Sequence, residues 1–239
     1  MSGRVGSITT DIIADGLVFN MDAANRASYP VQRTLATAES GSCYNTLDLS
    51  QSGSFISDPQ FVTQPASASS WVFDGIDDYM MIGPSANVGN NFTFSVWYKP
   101  TDLTGEGYGY LLSSDPTVGN DKGFAIDEGG GAIGAGKVYY YNGSASTVLA
   151  STAVSLNAWA CLTFVTNVTG NEIKFYLNGL LDKTTTVTSI ETDYDYIGVW
   201  GATETHYLIG QLANVTMYDR PLSASEVLHN YNALKGRFS

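Results

Sequence analysis

Four aspartates stand where hard oxygen ligands could gather: Asp22 at the end of an apolar stretch, and Asp74, Asp77 and Asp78 inside Trp71-Val-Phe-Asp-Gly-Ile-Asp-Asp-Tyr79. Carboxylates and loop carbonyls suit Ca²⁺, so a structural calcium is the one candidate metal; no cofactor is required. The spacing matches no complete calcium loop, and Asp74-Gly75 has a simpler use as a tight reversal, because Gly tolerates positive φ. A second acidic group, Glu191-Thr-Asp193-Tyr-Asp195, sets three carboxylates at alternate positions. Glycoside hydrolysis needs a carboxylate pair, but acids at every second position of a strand are also what a solvated face or edge looks like, since inward carboxylates need special stabilisation. The only histidines, His206 and His229, have no nucleophile pattern beside them, so neither a triad nor a zinc spacing emerges. The expectation is a chain without catalytic residues.

Aromatic side chains offer a different chemistry. Sugar rings stack on exposed aromatic faces while nearby polar groups hold their hydroxyls. Trp97, Tyr108, Tyr140 and Trp200 are the expected ligand-binding residues, with Tyr139 and Tyr141 flanking Tyr140. Most aromatics in a β-sandwich are core, however, and alternation does not tell which face stays open. The run Asp127-Glu-Gly-Gly-Gly-Ala-Ile-Gly-Ala-Gly136 has the glycine content of a phosphate loop. It lacks the Gly-Lys-Ser/Thr ending and a strand-to-helix setting, and reads as a flexible connection.

The totals limit what such residues can serve. The chain has 239 residues, 44% hydrophobic and only 14% charged, with 25 Gly and 15 Tyr. That balance supports one sizeable core built from short strands and turns rather than long helices. A net charge of −12 with 11 Lys and Arg argues against a nucleic-acid or anionic-membrane partner. Two cysteines make no disulfide framework: Cys43 and Cys161 could form one bridge, but Cys161 sits in an apolar strand pattern that favours a buried free thiol. No secretory leader or membrane-length segment is seen. The Asn-x-Ser/Thr triplets at Asn91, Asn142, Asn167 and Asn214 then read as strand and turn composition.

The elements that would position these residues are mostly short strands. Residues 1–14 are small and polar, an N-terminal arm; 15–239 form one domain. Leu17, Phe19 and Met21 alternate along a first strand, and Thr46–Leu49 and Ser54–Ser57 are strand candidates. Two apolar segments flank Asp74-Gly75 as a hairpin. Phe92, Phe94, Val96 and Tyr98 alternate with Thr93, Ser95, Trp97 and Lys99, the clearest period of two in the sequence. Asn142-Gly143 and Asn178-Gly179 mark two further hairpins. Ser223-Ala-Ser-Glu226 has capping-box spacing ahead of Val227, Leu228, Tyr231 and Leu234, predicting a helix over 223–235 that Gly236 stops.

In this order, Asp15-Gly-Leu-Val-Phe-Asn-Met-Asp-Ala-Ala-Asn25, Phe73-Asp-Gly-Ile-Asp-Asp-Tyr79, Phe92-Thr-Phe-Ser-Val-Trp-Tyr98, Phe175-Tyr-Leu-Asn-Gly179 and Gly210-Gln-Leu-Ala-Asn-Val-Thr-Met-Tyr-Asp-Arg-Pro-Leu-Ser-Ala-Ser-Glu226 resemble the laminin-G-like, or concanavalin-A-like, jelly-roll family. The resemblance implies an all-β fold: an antiparallel two-sheet jelly-roll β-sandwich with a short C-terminal α-helix. It also implies glycan contact, and in many members a calcium near the strand-end loops. Glu191-Thr-Asp193-Tyr-Asp195 is similar to the Glu-x-Asp-x-Glu pattern of laminarinase-like hydrolases, except that Asp195 stands where Glu is expected. The segments Asp15-Gly-Leu and Tyr231-Asn-Ala-Leu-Lys-Gly-Arg-Phe238 look most like versions of the domain in tailed-phage virion proteins. The expected role is thus a non-enzymatic virion structural protein, a capsid decoration or tail appendage. It would sit among other virion proteins and copies of itself and contact host glycans. A free-standing carbohydrate-binding module is the alternative, and a glycoside hydrolase a distant third.

Overall fold

The computed structural model describes residues 12–29, 42–62, 69–105, 107–114, 122–201 and 205–238. They form two antiparallel sheets packed face to face, the jelly-roll sandwich expected. Sheet I contains β1 (Leu17–Asp22), β4 (Gln60–Val62), β5 (Ser70–Asp74), β7 (Thr93–Pro100), β12 (Ala160–Asn167), β13 (Glu172–Leu177), β14 (Leu180–Thr186) and β16 (Ile209–Tyr218). Its order is β14-β13-β12-β7-β16-β5-β4, with β1 also paired to β16. Sheet II contains β2 (Ser42–Tyr44), β3 (Ser52–Ile56), β6 (Tyr79–Asn87), β8 (Tyr108–Ser113), β9 (Gly123–Asp127), β10 (Val138–Tyr141), β11 (Ser146–Val148) and β15 (Asp193–Ile197), ordered β11-β10-β9-β8-β15-β6-β3-β2. No helix among the described residues is long and apolar enough to cross a membrane.

The core follows from the period of two. Phe92, Phe94, Val96 and Tyr98 all point between the sheets. Phe94 lies opposite Phe164 on β12 and stacks on it at 5.6 Å, while Phe124 of sheet II closes on Phe164 at 4.5 Å. Each fully buried phenylalanine contributes about 1.5–3 kcal/mol by leaving water. Both cysteines are buried and free; burial pushes the Cys43 thiol up to about 12 and Cys161 to about 11, so neither is a ready thiolate nucleophile.

Several expectations are corrected. The Asp74-Gly75 turn does not make a hairpin: β5 belongs to sheet I and β6 to sheet II, so the turn is a corner between sheets. Thr46–Leu49 is a turn rather than a strand. Leu47 and Leu49 are exposed, and the buried Asn45 side chain holds the turn, accepting from the Leu47 and Asn20 N–H groups and donating to Val18 O. A bulge between Leu17 and Phe19 turns Leu17 away from Phe19 and Met21, onto the outer side of sheet I. The acidic segment is no edge either, because β15 lies inside sheet II between β8 and β6.

The helix forms as the capping box predicts. In α1 (Ala224–Leu234) the Ser223 Oγ accepts from the Glu226 N–H, and Glu226 accepts from the Ser223 N–H at 2.8 Å. Arg220 donates to Glu226 at 2.6 Å, and that contact, with the cap, holds the carboxyl down to about 2. Leu228 is more exposed than its place in the periodicity suggests. Gly236 adds no left-handed stop, because the helix passes through Lys235 into a short 3₁₀ turn, Lys235–Arg237. That turn delivers Arg237 to Asp22, where the guanidinium Nη1 and Nη2 each donate at 2.7 Å in a buried bidentate pair. Of the predicted arm, residues 1–11 lie outside the described residues. Ile12 and Ile13 pack beside the helix, and the Ile13 N–H donates to Asn230 at 2.8 Å.

Candidate functional site

The outer face of sheet II carries a row of rings. On β8 the alternation sends Tyr108 and Tyr110 outward; a bulge then turns both Leu111 and Leu112 inward. On β10 the same alternation divides the tyrosine triplet: Tyr140 enters the core, and Tyr139 and Tyr141 stay outside. Ala125 of β9 pairs with Tyr110 on one side and Tyr139 on the other, and its small side chain lets the two rings approach to 6.3 Å. Trp200, in the loop after β15, stacks parallel to Tyr110 at 6.0 Å and meets Tyr141 edge-on at 5.7 Å. His206 lies 5.9 Å from Tyr108 and 5.1 Å from Trp200. Tyr108, Tyr141, Trp200 and His206 keep part of their surface in solvent.

Beside this row is a cavity of about 290 Å³, lined by Gly75, Gly105, Gly107, Tyr108, Glu128, His206, Tyr207 and Ile209. The Asp127–Gly136 loop builds one wall, and it is not a slack connection. Asp127 is fully buried, and its carboxylate accepts from the N–H groups of Gly129, Gly131, Ile133 and Gly134 at 2.8–3.2 Å. The glycines serve that wrapping: Gly129 and Gly134 have φ of +121° and +110°, and a side chain on Gly131 would strike the Tyr108 ring. The run therefore does cradle an anion through backbone N–H groups, but the anion is its own aspartate.

Fixing Asp127 fixes Glu128. Glu128 is 2% exposed; its Oε1 accepts from the Ile209 N–H at 2.7 Å and, weakly, from the Tyr98 hydroxyl at 3.4 Å. Burial pushes its acid up to about 8, outweighing those bonds; Asp102 and Asp127 push the same way. Burial lowers the His206 imidazole, so the ring is neutral at pH 7.

The expected site residues separate. Tyr108 and Trp200 meet at the outer face of sheet II. Tyr140 is fully buried, its hydroxyl accepting from the Glu191 N–H, so no sugar can stack on it. Trp97 is on the opposite outer face under the chain's end, sandwiched by Phe238 at 4.1 Å and Tyr231 at 5.7 Å, and leaves no ring face open. Asp74, Asp77 and Asp78 do gather, with one oxygen from each within 4.8 Å of the others. They could share a divalent cation, although both Asp78 oxygens already accept N–H bonds, from Asp58 and Asp74. Asp22 is not with them, because Arg237 occupies both of its oxygens. Glu191 pairs with Lys122 at 3.7 Å, and Glu191, Asp193 and Asp195 do not line the Glu128 cavity. Sequence reasoning missed Asp127, Glu128 and the place of His206 among the rings. The available signal was a strand ending in two acids and entering Gly-Gly-Gly, a run able to wrap N–H groups around a carboxylate.

Two sheets, antiparallel throughout and closed by a terminal helix, with an aromatic outer face beside a small cavity, define a lectin-type jelly roll. The chain belongs to the concanavalin A-like lectin/glucanases superfamily, whose laminin-G-type family model matches residues 74–228. No curated protein matches the sequence. Among solved structures it is similar to Trypanosoma rangeli sialidase in complex with the inhibitor DANA (15% identity, TM-score 0.63), over 92% of this chain and 33% of that one; the chain thus spans about a third of the sialidase's length. It is also similar to domain 4 of AbnA, a GH43 extracellular arabinanase from Geobacillus stearothermophilus, in complex with arabinotriose (15%, TM-score 0.62), over 91% and 98% of the two chains. The binding domain of Paraclostridial Mosquitocidal Protein 1 matches at 13% and 0.63, over 91% and 52%.

Proposed function

We propose that this chain is a non-enzymatic glycan-binding module that uses the outer face of sheet II, and that it works on the surface of a virion. The observation that carries the binding role is the juxtaposition of partly open rings, Tyr108, Trp200 and His206, with a cavity holding one buried carboxyl, Glu128. Rings offer apolar faces to a sugar, and a few fixed polar groups orient its hydroxyls. The sugar-bound arabinanase domain, matched over nearly its whole length, supports the reading. The absence of hydrolysis is supported by the carboxylates: Asp127 spends its oxygens on four N–H groups, and no second acid lines the cavity with Glu128 among the described residues. A glycan array followed by titration calorimetry tests it. Binding that Tyr108→Ala weakens at least about tenfold is expected; an array without signal at high protein concentration overturns it.

The virion setting is supported by the resemblance of the chain's ends and by where they sit. Ile12 and Phe238 pack against the same buried cluster on the outer side of sheet I, opposite the aromatic face. A chain held among virion proteins and copies of itself through that side would present its rings outward, and repetition over a lattice would strengthen weak single contacts. Mass spectrometry of purified particles should detect the protein; its absence from them removes the virion part while leaving the glycan part standing.

A further inference from the structure

Glu128 raises a question that stacking rings do not answer: what a carboxyl is doing in the wall of a ligand cavity without a cation. Among the described residues it makes no salt bridge. Among the described residues, the titratable groups around it are Tyr98 from β7, Asp102 from the loop after β7, Asp127 from its own strand end, and Tyr108, His206 and Tyr207 around the cavity. None of these is a fixed positive charge, and the two aspartates repel an ionised neighbour. A carboxylate buried this way is expensive, and the group relieves the cost by keeping its proton.

The hydrogen bonds indicate where the proton sits. Oε1 is the acceptor for the Ile209 N–H at 2.7 Å. The Tyr98 hydroxyl has a single proton and gives it to Ile209 O at 2.7 Å, which leaves only its longer 3.4 Å approach to Oε1. Oε2 makes no hydrogen bond among the described residues, so it is the oxygen free to carry the proton. The glycines complete the setting. Gly105 and Gly107 bring bare backbone to the cavity, and a side chain on Gly109 would strike Glu128 Oε1 itself. At about 290 Å³ the cavity falls just under the usual size of small-molecule pockets, which suits one sugar ring.

We infer that Glu128 is the specificity-determining hydrogen-bond donor of a single-ring subsite for a neutral sugar, and that it serves only while protonated. This rests on the glycan reading above and adds to it a ligand charge and a control by pH. An ionised Glu128 would become an acceptor beside Asp102 and Asp127 and would reject the same sugar oxygen. A sugar carrying its own carboxylate meets like charge there in either state of the site, through the aspartates.

The test prints neutral oligosaccharides and sialylated glycans on one array and probes it with wild type, Glu128→Gln and Glu128→Leu at about pH 6 and about pH 9, with near-UV circular dichroism confirming the fold at both. If protonation is required, wild type binds neutral glycans about tenfold more weakly at the higher pH, because only about a tenth of the sites then keep the proton. Glu128→Gln, a permanent N–H donor, should bind about equally at both, and Glu128→Leu at neither. Equal wild-type affinity at both pH values, a preference for sialylated glycans, or unimpaired Glu128→Leu overturns the inference and leaves glycan binding intact. No binding by any form at either pH overturns the glycan reading itself.

Discussion

The two outer faces of the sandwich start from similar sequence and end differently. Each carries aromatic residues at alternate strand positions: Trp97 and Tyr218 on sheet I, Tyr108, Tyr110, Tyr139 and Tyr141 on sheet II. On sheet I the chain comes back. Ile12, Ile13, α1 and Phe238 close over the rings and make a second core. On sheet II only loops arrive among the described residues, the Asp127–Gly136 turn and the stretches holding Trp200 and His206, and they leave ring faces and a cavity open. An aromatic stripe on a strand is therefore neither core nor site by itself; what returns to cover it decides. Breaking the seal of one face should cost stability, and altering the other should cost ligand.

The largest effect is expected where the seal is latched. Arg237→Met leaves the Asp22 carboxylate buried with no counter-charge, and urea denaturation should show a loss of about 3–5 kcal/mol. Binding per folded molecule should be unchanged; a variant as stable as wild type would show that the pair does not latch the chain's end.

Next comes a matched pair of tryptophans. Trp97→Ala removes a ring held between Phe238 and Tyr231 and should lower stability by about 3 kcal/mol. Trp200→Ala removes a half-open ring and should cost under about 1 kcal/mol of stability while weakening glycan binding about tenfold. If Trp97→Ala weakens binding and Trp200→Ala mainly unfolds the protein, the roles of the faces are reversed.

Acid–base linkage gives a smaller contrast. Glu128 keeps its proton up to about pH 8 when folded, whereas unfolded it releases it near the ordinary glutamate value. Below both values the group costs nothing; between them the unfolded chain binds fewer protons, so stability falls as pH rises, levelling off above about 8. The fall from pH 6 to 8 should be about 2 kcal/mol, since a tenfold change in proton affinity is worth about 1.4 kcal/mol. Glu128→Gln should abolish this component. Glu226 runs the other way at the sealed face: its carboxyl is held down to about 2, so its contribution is present above the unfolded value and fades as pH falls through that range.

Much of the fold was legible because local rules agreed with it. The period of two from Phe92 to Tyr98, the Asn178-Gly179 hairpin and the Ser223–Glu226 box each specify their element without distant contacts. The register error at Leu17 came from a bulge, and a bulge leaves no mark in composition. Half of the aromatic site was legible. Tyr108 and Trp200 lie where a sugar could meet them, but alternation could not show that Tyr140 faces the other sheet or that Phe238 covers Trp97. Glu128 was hidden for another reason: its significance depends on Tyr98 and Ile209, 30 and 81 residues away along the chain.

The smallest effect concerns the corner between the sheets. Asp74, Asp77 and Asp78 converge, and like charges so close repel; burial first, then Asp74 and Asp77, raise the Asp78 carboxyl despite the N–H bonds it accepts. A cation would relieve that repulsion, yet Asp78 has already committed both oxygens to backbone, and Asp74 Oδ1 accepts from the Ile76 N–H at 2.8 Å. Such a site belongs with weak calcium binders, of dissociation constant about 10⁻⁴–10⁻³ M. About 1 mM calcium should then stabilise the fold by roughly 0.4–1.4 kcal/mol. Thermal unfolding after chelation and after calcium return measures it, with Asp77→Asn as control: calcium should raise the wild-type midpoint by a few degrees and the variant's by less. An unchanged wild-type midpoint would make the three aspartates a turn that joins the sheets and nothing more, and a rise as large in Asp77→Asn would put the calcium elsewhere.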